Sequence, residues 1–452
     1  MMDKAIVFLK LLTLGGLTCV ILIALWMVDN LIDSRQHFRD EAVASITSSY
    51  ASPQRILGPL LVQPYRVTTV EETIDTGGLK HSEVQTIEDA YTVFPQDLSI
   101  KGDIHPSLRR HGLYSVPVYE FAGHLTGHFN VPPSPIKGQV QYGIPYIAFA
   151  VKDARGIVGT PALHVNGATY AVEGSTLTVA EKDNIHANVA WGSNLRALLP
   201  EAAGKPGSLD VTLDLTLAGT QSLALVPLAD TSHFEVNSSW AAPLFSGQFL
   251  PRSRDLSPAG FHAAWDISSL ASATQNQLLT NKDQIDTVDI TLAQTVDPYT
   301  LSDRAVKYGI LFVLLTFGGF FLFENLKQMQ IHPVQYLLVG FCLSVFFLLL
   351  ISFSEHMPFA AAYLIASASC IGVLTYYLVF VLKSRAYGLT FGGILTVLYG
   401  SIYGLLISED NALLLGSLLL FGLIALVMIF TRKVDWYRLT KSTPAQLAPP
   451  TA

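Results

Sequence analysis

Four polar residues in the C-terminal part of the chain are the first candidates for a functional site. Glu355 and His356 lie in one short break between apolar runs, and Glu409 and Asp410 lie in another. Carboxylate and imidazole groups gathered at one membrane surface could bind a cation or dock a neighbouring domain. Charged residues also commonly end membrane-spanning helices, and we favour that simpler interpretation. We therefore predict an outer-face polar cluster whose members are solvated helix ends.

Two further groups of polar residues lie in the middle of the chain. Asp153 and Arg155 flank Ala154 after a strand-like segment, a pattern typical of an ion pair in a surface turn, with a ligand-binding loop as the alternative. His124 and His128 are four residues apart in an alternating stretch. On a strand this spacing places them on one face but about 13 Å apart, too far to share a metal ion.

Familiar catalytic motifs are missing from the sequence. It has no G-x-S-x-G, no H-E-x-x-H and no glycine-rich phosphate loop. Its three cysteines, Cys19, Cys342 and Cys370, all lie in apolar runs, which predicts small buried side chains and excludes a disulfide framework in the polar middle of the chain. We predict a protein that is not an enzyme and has no catalytic residue, cofactor or metal site.

Composition places the chain in a membrane. Half of its 452 residues are hydrophobic and 14% are charged, an apolar excess typical of integral membrane proteins. The apolar residues are concentrated at the two ends. Residues 29–305 instead contain 29 acidic and 18 basic residues, a net charge of −11. This acidic middle argues against nucleic acid as a partner, so the lipid bilayer is the partner that composition predicts.

Six apolar runs are long enough to span a bilayer as helices. The first, residues 11–28, is too long for a cleaved signal peptide and predicts an uncleaved signal anchor. The other five follow the polar middle of the chain, at residues 306–323, 336–353, 359–382, 387–407 and 411–430. We therefore predict four regions: a transmembrane anchor (1–28), a β-rich domain (29–305), a five-helix bundle (306–430) and a tail (431–452).

Lysine and arginine predict the orientation of these spans. The connections 324–335 and 383–386 and the tail contain basic residues, whereas 354–358 and 408–410 contain none. Cytoplasmic connections are enriched in lysine and arginine. Both termini are therefore predicted to be cytoplasmic and residues 29–305 to be outside, in the periplasm.

Small residues four positions apart run along the fourth C-terminal span. They are Gly388, Gly392, Thr396, Gly400 and Gly404. Such a stripe lets a neighbouring helix approach closely, which predicts that this span is the packing centre of the bundle and that Gly388, Gly392, Gly400 and Gly404 are helix-packing residues.

Alternating apolar and polar residues dominate the middle of the chain. Residues 211–217 and 288–292 alternate strictly, and glycine and proline turns are frequent. Many short strands with polar turns predict a mainly antiparallel, sandwich-like domain. Residues 193–199 and 270–279 are the segments that we predict to be helical.

Several segments carry a resemblance to a known family. The segments RAVKYGILF (304–312), IHPVQY (331–336), EDNALLLGS (409–417) and DARGI (153–157) resemble the CreD family of bacterial inner-membrane proteins. The likeness extends over nearly the whole chain. It implies an inner-membrane protein with a periplasmic domain, associated with cell-envelope integrity and colicin tolerance. It implies no reaction, ligand or catalytic residue.

These observations lead to one functional expectation and an alternative. We expect a non-enzymatic protein that supports the cell envelope, with its periplasmic domain binding an unidentified envelope component. The alternative is a transporter or lipid-handling protein that works through the helix bundle. Charged residues are nearly absent from the predicted spans, whereas coupled transporters usually need them.

Overall fold

The chain forms two compact units in a computed structural model. The membrane unit comprises Met1–Phe38 and Val296–Ala452, and the β unit comprises Arg39–Thr295. The β unit therefore comprises residues 39–295, whereas the β-rich domain predicted from the sequence comprises residues 29–305. The structure describes residues 2–74, 80–133, 136, 139–174, 193–280, 284–293, 298–327, 331–408 and 412–431.

Eight α-helices lie within the described residues. They are α1 (Met2–Ser49), α2 (Thr274–Leu279), α3 (Pro298–Lys307), α4 (Gly309–Lys327), α5 (Pro333–Ser354), α6 (Phe359–Val381), α7 (Arg385–Ile407) and α8 (Ala412–Thr431). Helix α1 has 48 residues, so it is about 72 Å long at the usual helical rise, more than twice the thickness of a bilayer core. It ends shortly before Pro53, which cannot donate the backbone hydrogen bond that a continuing helix needs.

Four helices are long and apolar enough to cross a membrane. They comprise Leu12–Ser49 of α1 and the whole of α5, α6 and α7. The sequence predicted six spans, whereas four helices within the described residues meet this criterion. The remaining two predicted spans, 306–323 and 411–430, correspond to α4 and α8, helices of 19 and 20 residues.

The start of α5 shows how local sequence sets a helix boundary. His332 is the N-cap residue, and its Nδ1 accepts a hydrogen bond from the backbone N–H of Val334 at 3.3 Å. Gln335 Oε1 accepts from the backbone N–H of His332, and Pro333 occupies the first turn, where its missing N–H costs nothing. Nearby, the buried carboxylate of Glu324 accepts from the backbone N–H of Ile331 and from Tyr336, which joins the end of α4 to the start of α5.

The β unit contains two sheets. The nine-stranded sheet contains β1 (Gln54–Ile74), β2 (Lys80–Val93), β5 (Gln139–Tyr142), β6 (Tyr146–Val151), β9 (Glu173–Gly174), β10 (Ser193–Leu198), β12 (Ser222–Leu225), β14 (Pro243–Gly247) and β17 (Val288–Leu292). The eight-stranded sheet contains β3 (Asp97–His111), β4 (Tyr114–Val131), β7 (Ile157–Val165), β8 (Ala168–Tyr170), β11 (Gly207–Thr220), β13 (Thr231–Ser238), β15 (Ser253–Ser257) and β16 (Gly260–Ser268).

Strand pairing is mainly antiparallel. The order in the eight-stranded sheet is β15-β16-β13-β3-β4-β11-β7-β8, and the central path of the other sheet is β14-β17-β12-β1-β6-β10-β9. Two pairs are parallel, β1 with β12 and β3 with β13. The large antiparallel β domain that the sequence predicts is therefore present.

One hydrophobic core is built from both sheets. Phe149 and Ile290 of the nine-stranded sheet and Phe121, Leu213 and Trp265 of the eight-stranded sheet belong to the same buried cluster. Along β4 and β11 these inward side chains alternate with exposed polar ones, the pattern of a sheet with one face on the core. The alternation at 211–217 thus predicted both the strand and the face that it buries.

The prediction of a helix at residues 193–199 is wrong. This segment forms β10, whose residues pair with β6, Leu195 opposite Phe149 and Ala197 opposite Ile147. A segment of seven residues is too short for a helical period to be distinguished from a strand, and pairing with a strand distant in sequence decided the outcome. Helix α2 occupies the C-terminal part of the other predicted helical segment, 270–279.

Candidate functional site

Glu355 of the predicted polar cluster is held inside the membrane unit. Its side chain is 8% exposed, and Oε1 lies 3.4 Å from Nε of Arg35 in α1. The same oxygen accepts a hydrogen bond of 3.2 Å from the hydroxyl of Tyr299 in α3. Glu355 therefore connects the end of α5 to α1 and α3, which is a structural role.

His356 is the one other member of the predicted cluster that lies within the described residues. The exposed His356 turns back on its own helix, with Nδ1 3.1 Å from the carbonyl oxygen of Ser352. Glu409 and Asp410 lie outside the described residues. The two described members are thus in separate surroundings, and the function of the four residues stays a prediction.

The glycine stripe of α7 is closely packed over half of its length. A Cβ atom added to Gly388 would lie 2.8 Å from the backbone nitrogen and Cα of Val379 in α6, and one added to Gly392 would overlap the side chain of Thr375. Added to Gly400 or Gly404, it would have no neighbour within 4 Å among the described residues. Close helix approach therefore occurs at Gly388 and Gly392 and, among the described residues, not at the other two positions; the role of the four glycines in packing the bundle stays a prediction.

Aromatic rings occupy the middle of the bundle. The ring of Tyr399 in α7 lies 4.6 Å from that of Phe312 in α4 and 4.7 Å from that of Phe346 in α5, measured between centroids. Tyr363 of α6 packs against Phe346 at 5.5 Å and donates a hydrogen bond to the carbonyl oxygen of Tyr399. Edge-on aromatic pairs of this kind stabilise packing beyond the area that they bury.

The Asp153 loop fastens the start of β1 within the β unit. The Asp153 carboxylate accepts from the backbone N–H of Ser52 at 3.0 Å and from the Arg155 guanidinium, and Arg155 donates in turn to the carbonyl oxygen of Ser48 at 2.5 Å. The Arg155 guanidinium, aided by these backbone donors, holds the pKa of the Asp153 carboxyl well below its usual range. The side chain of Asp153 is 12% exposed and that of Arg155 is 57% exposed, so the pair lies in a surface turn, as predicted, with its carboxylate enclosed.

Polar groups around this loop are hydrogen-bonded within the chain. Gln54 donates through Nε2 to the carbonyl oxygens of Asp153 and Ala218, and its Oε1 accepts from the N–H of Asp153. A Cβ atom on Gly156 would overlap the Ala218 carbonyl oxygen and the Gln54 amide. We call this set (Ser52, Gln54, Asp153, Arg155 and Gly156) the junction clasp, and its contacts indicate a structural role.

Histidine–aspartate pairs lie on the outward face of the eight-stranded sheet. His124 and His128 of β4 lie opposite Asp214 and Asp210 of β11, and each Nδ1 is 2.6 Å from a carboxylate oxygen. The two histidines share one face, as their spacing predicts. A third pair, His233 with Asp266, joins β13 to β16 at 2.6 Å. In the part of the chain that the structure describes, no group of three or more histidine, cysteine or acidic residues could hold a metal ion.

A lysine–glutamate pair lies on the same outward face. Lys101 of β3 lies opposite both Glu235 of β13 and His124 of β4, and its Nζ is 3.0 Å from the carboxylate of Glu235. The hydrogen bond from Lys101 lowers the pKa of Glu235. Side chains here are open to solvent: His124 is 53% and Asp210 74% exposed. The face therefore presents an array of charged and hydrogen-bonding groups, which we call the polar face.

Two comparisons with known proteins identify the family. The family model described as inner membrane protein CreD matches residues 6–437 of this chain. The inner membrane protein CreD of Escherichia coli (strain K12) is 33% identical over 443 residues, which cover 96% of this chain and 95% of that protein. The chain belongs to the CreD family.

Family membership confirms the resemblance that the sequence segments carried. This CreD family chain is an inner-membrane protein, with an N-terminal apolar helix, a large β-sheet domain and C-terminal apolar helices. Among solved structures, an M1 zinc metallopeptidase from Deinococcus radiodurans aligns with 44% of this chain and 42% of its own, with 10% identity and a TM-score of 0.22. A likeness this low carries no argument about fold or activity.

Sequence reasoning missed several partners in this CreD family chain. Arg35 was not linked to Glu355, because 320 positions separate them and only the packing of α1 on α5 brings them together. The partners of His124 and His128 carried a recognisable signal. Asp210 and Asp214 have the same four-residue spacing on an alternating strand, as two strands paired in register require.

Proposed function

We propose that this CreD family protein supports cell-envelope integrity without catalysing a reaction, by presenting its β unit in the periplasm to bind an envelope component. The polar face is the observation that carries the proposal. Its paired histidines and carboxylates are exposed, while the alternate side chains of the same strands fill the core. A face so rich in directed hydrogen-bonding groups suits recognition of a polar partner.

The charge of the polar face indicates the chemistry of that partner. Outward positions of β3, β4, β11, β13 and β16 carry seven carboxylates against two basic residues, Lys101 and Arg109. The carboxylates are Asp97, Asp103, Glu120, Asp210, Asp214, Glu235 and Asp266. Charge complementarity favours an envelope component that presents cationic groups, such as a basic protein segment.

The topology belongs to the same proposal. We infer six spans, with α4 and α8 added to the four apolar helices, so that both termini are cytoplasmic. The distribution of lysine and arginine supports this orientation. The hydrocarbon core of a bilayer excludes polar surfaces, so the β unit lies on one side of the membrane.

Transport through the helix bundle is the weaker alternative. The rings of Phe312, Phe346 and Tyr399 touch one another between α4, α5 and α7. A polar path would need to pass these packed rings.

The test combines a change on the polar face with a matched control on the other sheet. Thr126 and Thr212 lie opposite each other between the two β4–β11 histidine–aspartate pairs. In a strain lacking the chromosomal gene, we expect the double variant Thr126→Arg/Thr212→Arg to lose resistance to envelope stress, measured as survival in detergent or colicin. Thr291→Arg, on β17 of the nine-stranded sheet, should retain resistance.

Membrane levels of each variant are measured by immunoblot, and thermal stability is measured after purification. If a stable, normally abundant Thr126→Arg/Thr212→Arg variant protects cells as the wild type does, the polar face is not the binding surface. Loss of protection in both variants would likewise contradict a role specific to this face.

A further inference from the structure

Two cysteine side chains meet in the membrane unit. Cys342 is in the middle of α5 and Cys370 in the middle of α6, and their Sγ atoms are 3.6 Å apart. Both are free thiols; Cys370 is 4% exposed, whereas Cys342 is partly exposed. The sequence predicts small buried side chains at these positions, and the structure adds that the two are in direct contact.

The surroundings of the pair define how each thiol can react. The Tyr399 hydroxyl lies 3.1 Å from Sγ of Cys370, on the side facing α7. Cys342 is partly exposed on α5 and is the more accessible of the two thiols. A small molecule arriving through the apolar phase would therefore meet Cys342 first, with Cys370 behind it.

We propose that Cys342 and Cys370 are a reactive dithiol, which a small uncharged peroxide oxidises to a disulfide that joins α5 to α6. A disulfide has a sulfur–sulfur bond of about 2.05 Å, so the two sulfur atoms must approach by about 1.5 Å, within reach of side-chain torsions. The product is uncharged. It therefore suits an apolar environment better than a metal–thiolate complex would, because burying charge is costly.

The peroxide oxidises the two thiols in two steps. In the first, the sulfur of Cys342 attacks one peroxide oxygen and the O–O bond breaks. Cys342 becomes a sulfenic acid, and the leaving oxygen takes up the thiol proton and departs as water or an alcohol. In the second, the sulfur of Cys370 attacks that of Cys342, the S–S bond forms and the S–O bond breaks. The released hydroxyl takes the Cys370 proton as water, so the dithiol loses two electrons and the peroxide gains them.

A disulfide here would restrain the bundle. The two cysteines are 28 positions apart, and closing such a loop lowers the entropy of the unfolded chain. The oxidised protein should thus unfold at a higher temperature than the reduced protein.

The test counts free thiols in the full-length protein. The protein in uncharged detergent is treated with hydrogen peroxide, denatured, and labelled with a maleimide polymer that shifts its mobility once per thiol. Reduced wild type should carry three labels and peroxide-treated wild type one, at Cys19. Dithiothreitol should restore three, and peptide mass spectrometry should find Cys342 linked to Cys370 in a monomer.

Variants with one cysteine replaced distinguish a disulfide between Cys342 and Cys370 from oxidation elsewhere in the protein. Cys342→Ala and Cys370→Ala should each keep two labels after peroxide and dithiothreitol, with no peroxide-induced rise in midpoint temperature. Peroxide should lower the number of labels on Cys19→Ala from two to none. It should also raise the midpoint temperature of this variant, as it does for the wild type. Three labels on peroxide-treated wild type, loss that dithiothreitol cannot reverse, or a crosslink between two chains would each overturn the proposal. Midpoints of the reduced variants establish that they are folded.

Discussion

Asp153 illustrates how one carboxylate can organise a chain junction. It receives hydrogen bonds from Ser52 and Arg155, and Arg155 reaches the carbonyl oxygen of Ser48 at the end of α1. The two residues therefore tie α1 and the first residue of β1 to the loop after β6. Removing the Arg155 guanidinium would leave the enclosed Asp153 carboxylate without its charged partner, which is destabilising.

Acid should weaken the junction clasp. The pKa of Asp153 is depressed in the folded protein, so the clasp contributes its full stability above the unfolded value of about 3.9 and loses it progressively as pH falls below that value. We expect Asp153→Asn to lower the apparent midpoint temperature at pH 7, and the gap from wild type to narrow by pH 3. Scanning fluorimetry across this range measures the gap. A constant gap would exclude the titration of Asp153 as the cause.

Gly156 should tolerate no side chain. Its Cβ position is occupied by the Ala218 carbonyl oxygen and the Gln54 amide, which are themselves hydrogen-bonded. We expect Gly156→Ala to destabilise the β unit by about 1–3 kcal/mol, the usual range for overpacking. Gly174→Ala, where a Cβ has no neighbour within 4 Å among the described residues, is the matched control. Equal midpoints for the two variants would argue against the clasp geometry.

At the scale of elements, α7 divides into two halves. Its first half approaches α6 at Gly388 and Gly392, and its second half contributes Tyr399 to the aromatic centre. Another close approach to a glycine occurs in α5, where a Cβ on Gly340 would lie 2.6 Å from Ile21 of α1. Spacing along one helix identifies glycines that permit contact but not which of them a neighbour uses.

Leucine substitutions distinguish the two halves of α7. Gly388→Leu would force α7 away from the backbone of Val379, so we expect a lower yield of folded protein and a lower midpoint temperature in detergent. Gly404→Leu, at the same periodic position near the other end of the helix, should behave as wild type. Size-exclusion profiles and midpoints provide the comparison, and equal damage from both substitutions would contradict this division.

At the scale of the whole molecule, the two units differ in the solvent that each needs. Apolar helices at both ends of the chain form the membrane unit, and the acidic middle of the chain forms the β unit. A bilayer accepts the first and excludes the second. The proposed topology follows from that difference and from the basic residues at the predicted cytoplasmic connections.

Cysteine labelling tests this topology. In a chain whose three cysteines are replaced by alanine, Ser239→Cys in the exposed loop after β13 should react with a membrane-impermeant maleimide in intact spheroplasts. Ser442→Cys in the C-terminal tail should react only after permeabilisation. Labelling of Ser442→Cys in intact spheroplasts would refute a cytoplasmic C-terminus.

The apolar helices, the β-rich middle of the chain and the family could all be predicted from the sequence. Each of these is written in local patterns: long apolar runs, strict alternation as at residues 211–217, and contiguous family segments. Such patterns reflect whether each face of a helix or strand meets water, lipid or the protein core. They can therefore be interpreted without knowing which distant residues are in contact.

Contacts between side chains could not be predicted in this way and are visible in the folded structure alone. It paired Glu355 with Arg35, Cys342 with Cys370 and His124 with Asp214, and it made a strand of residues 193–198. These contacts join residues 28 to 320 positions apart. They depend on how helices pack and strands register, and the free energies involved are sums over many neighbours that no single local pattern contains.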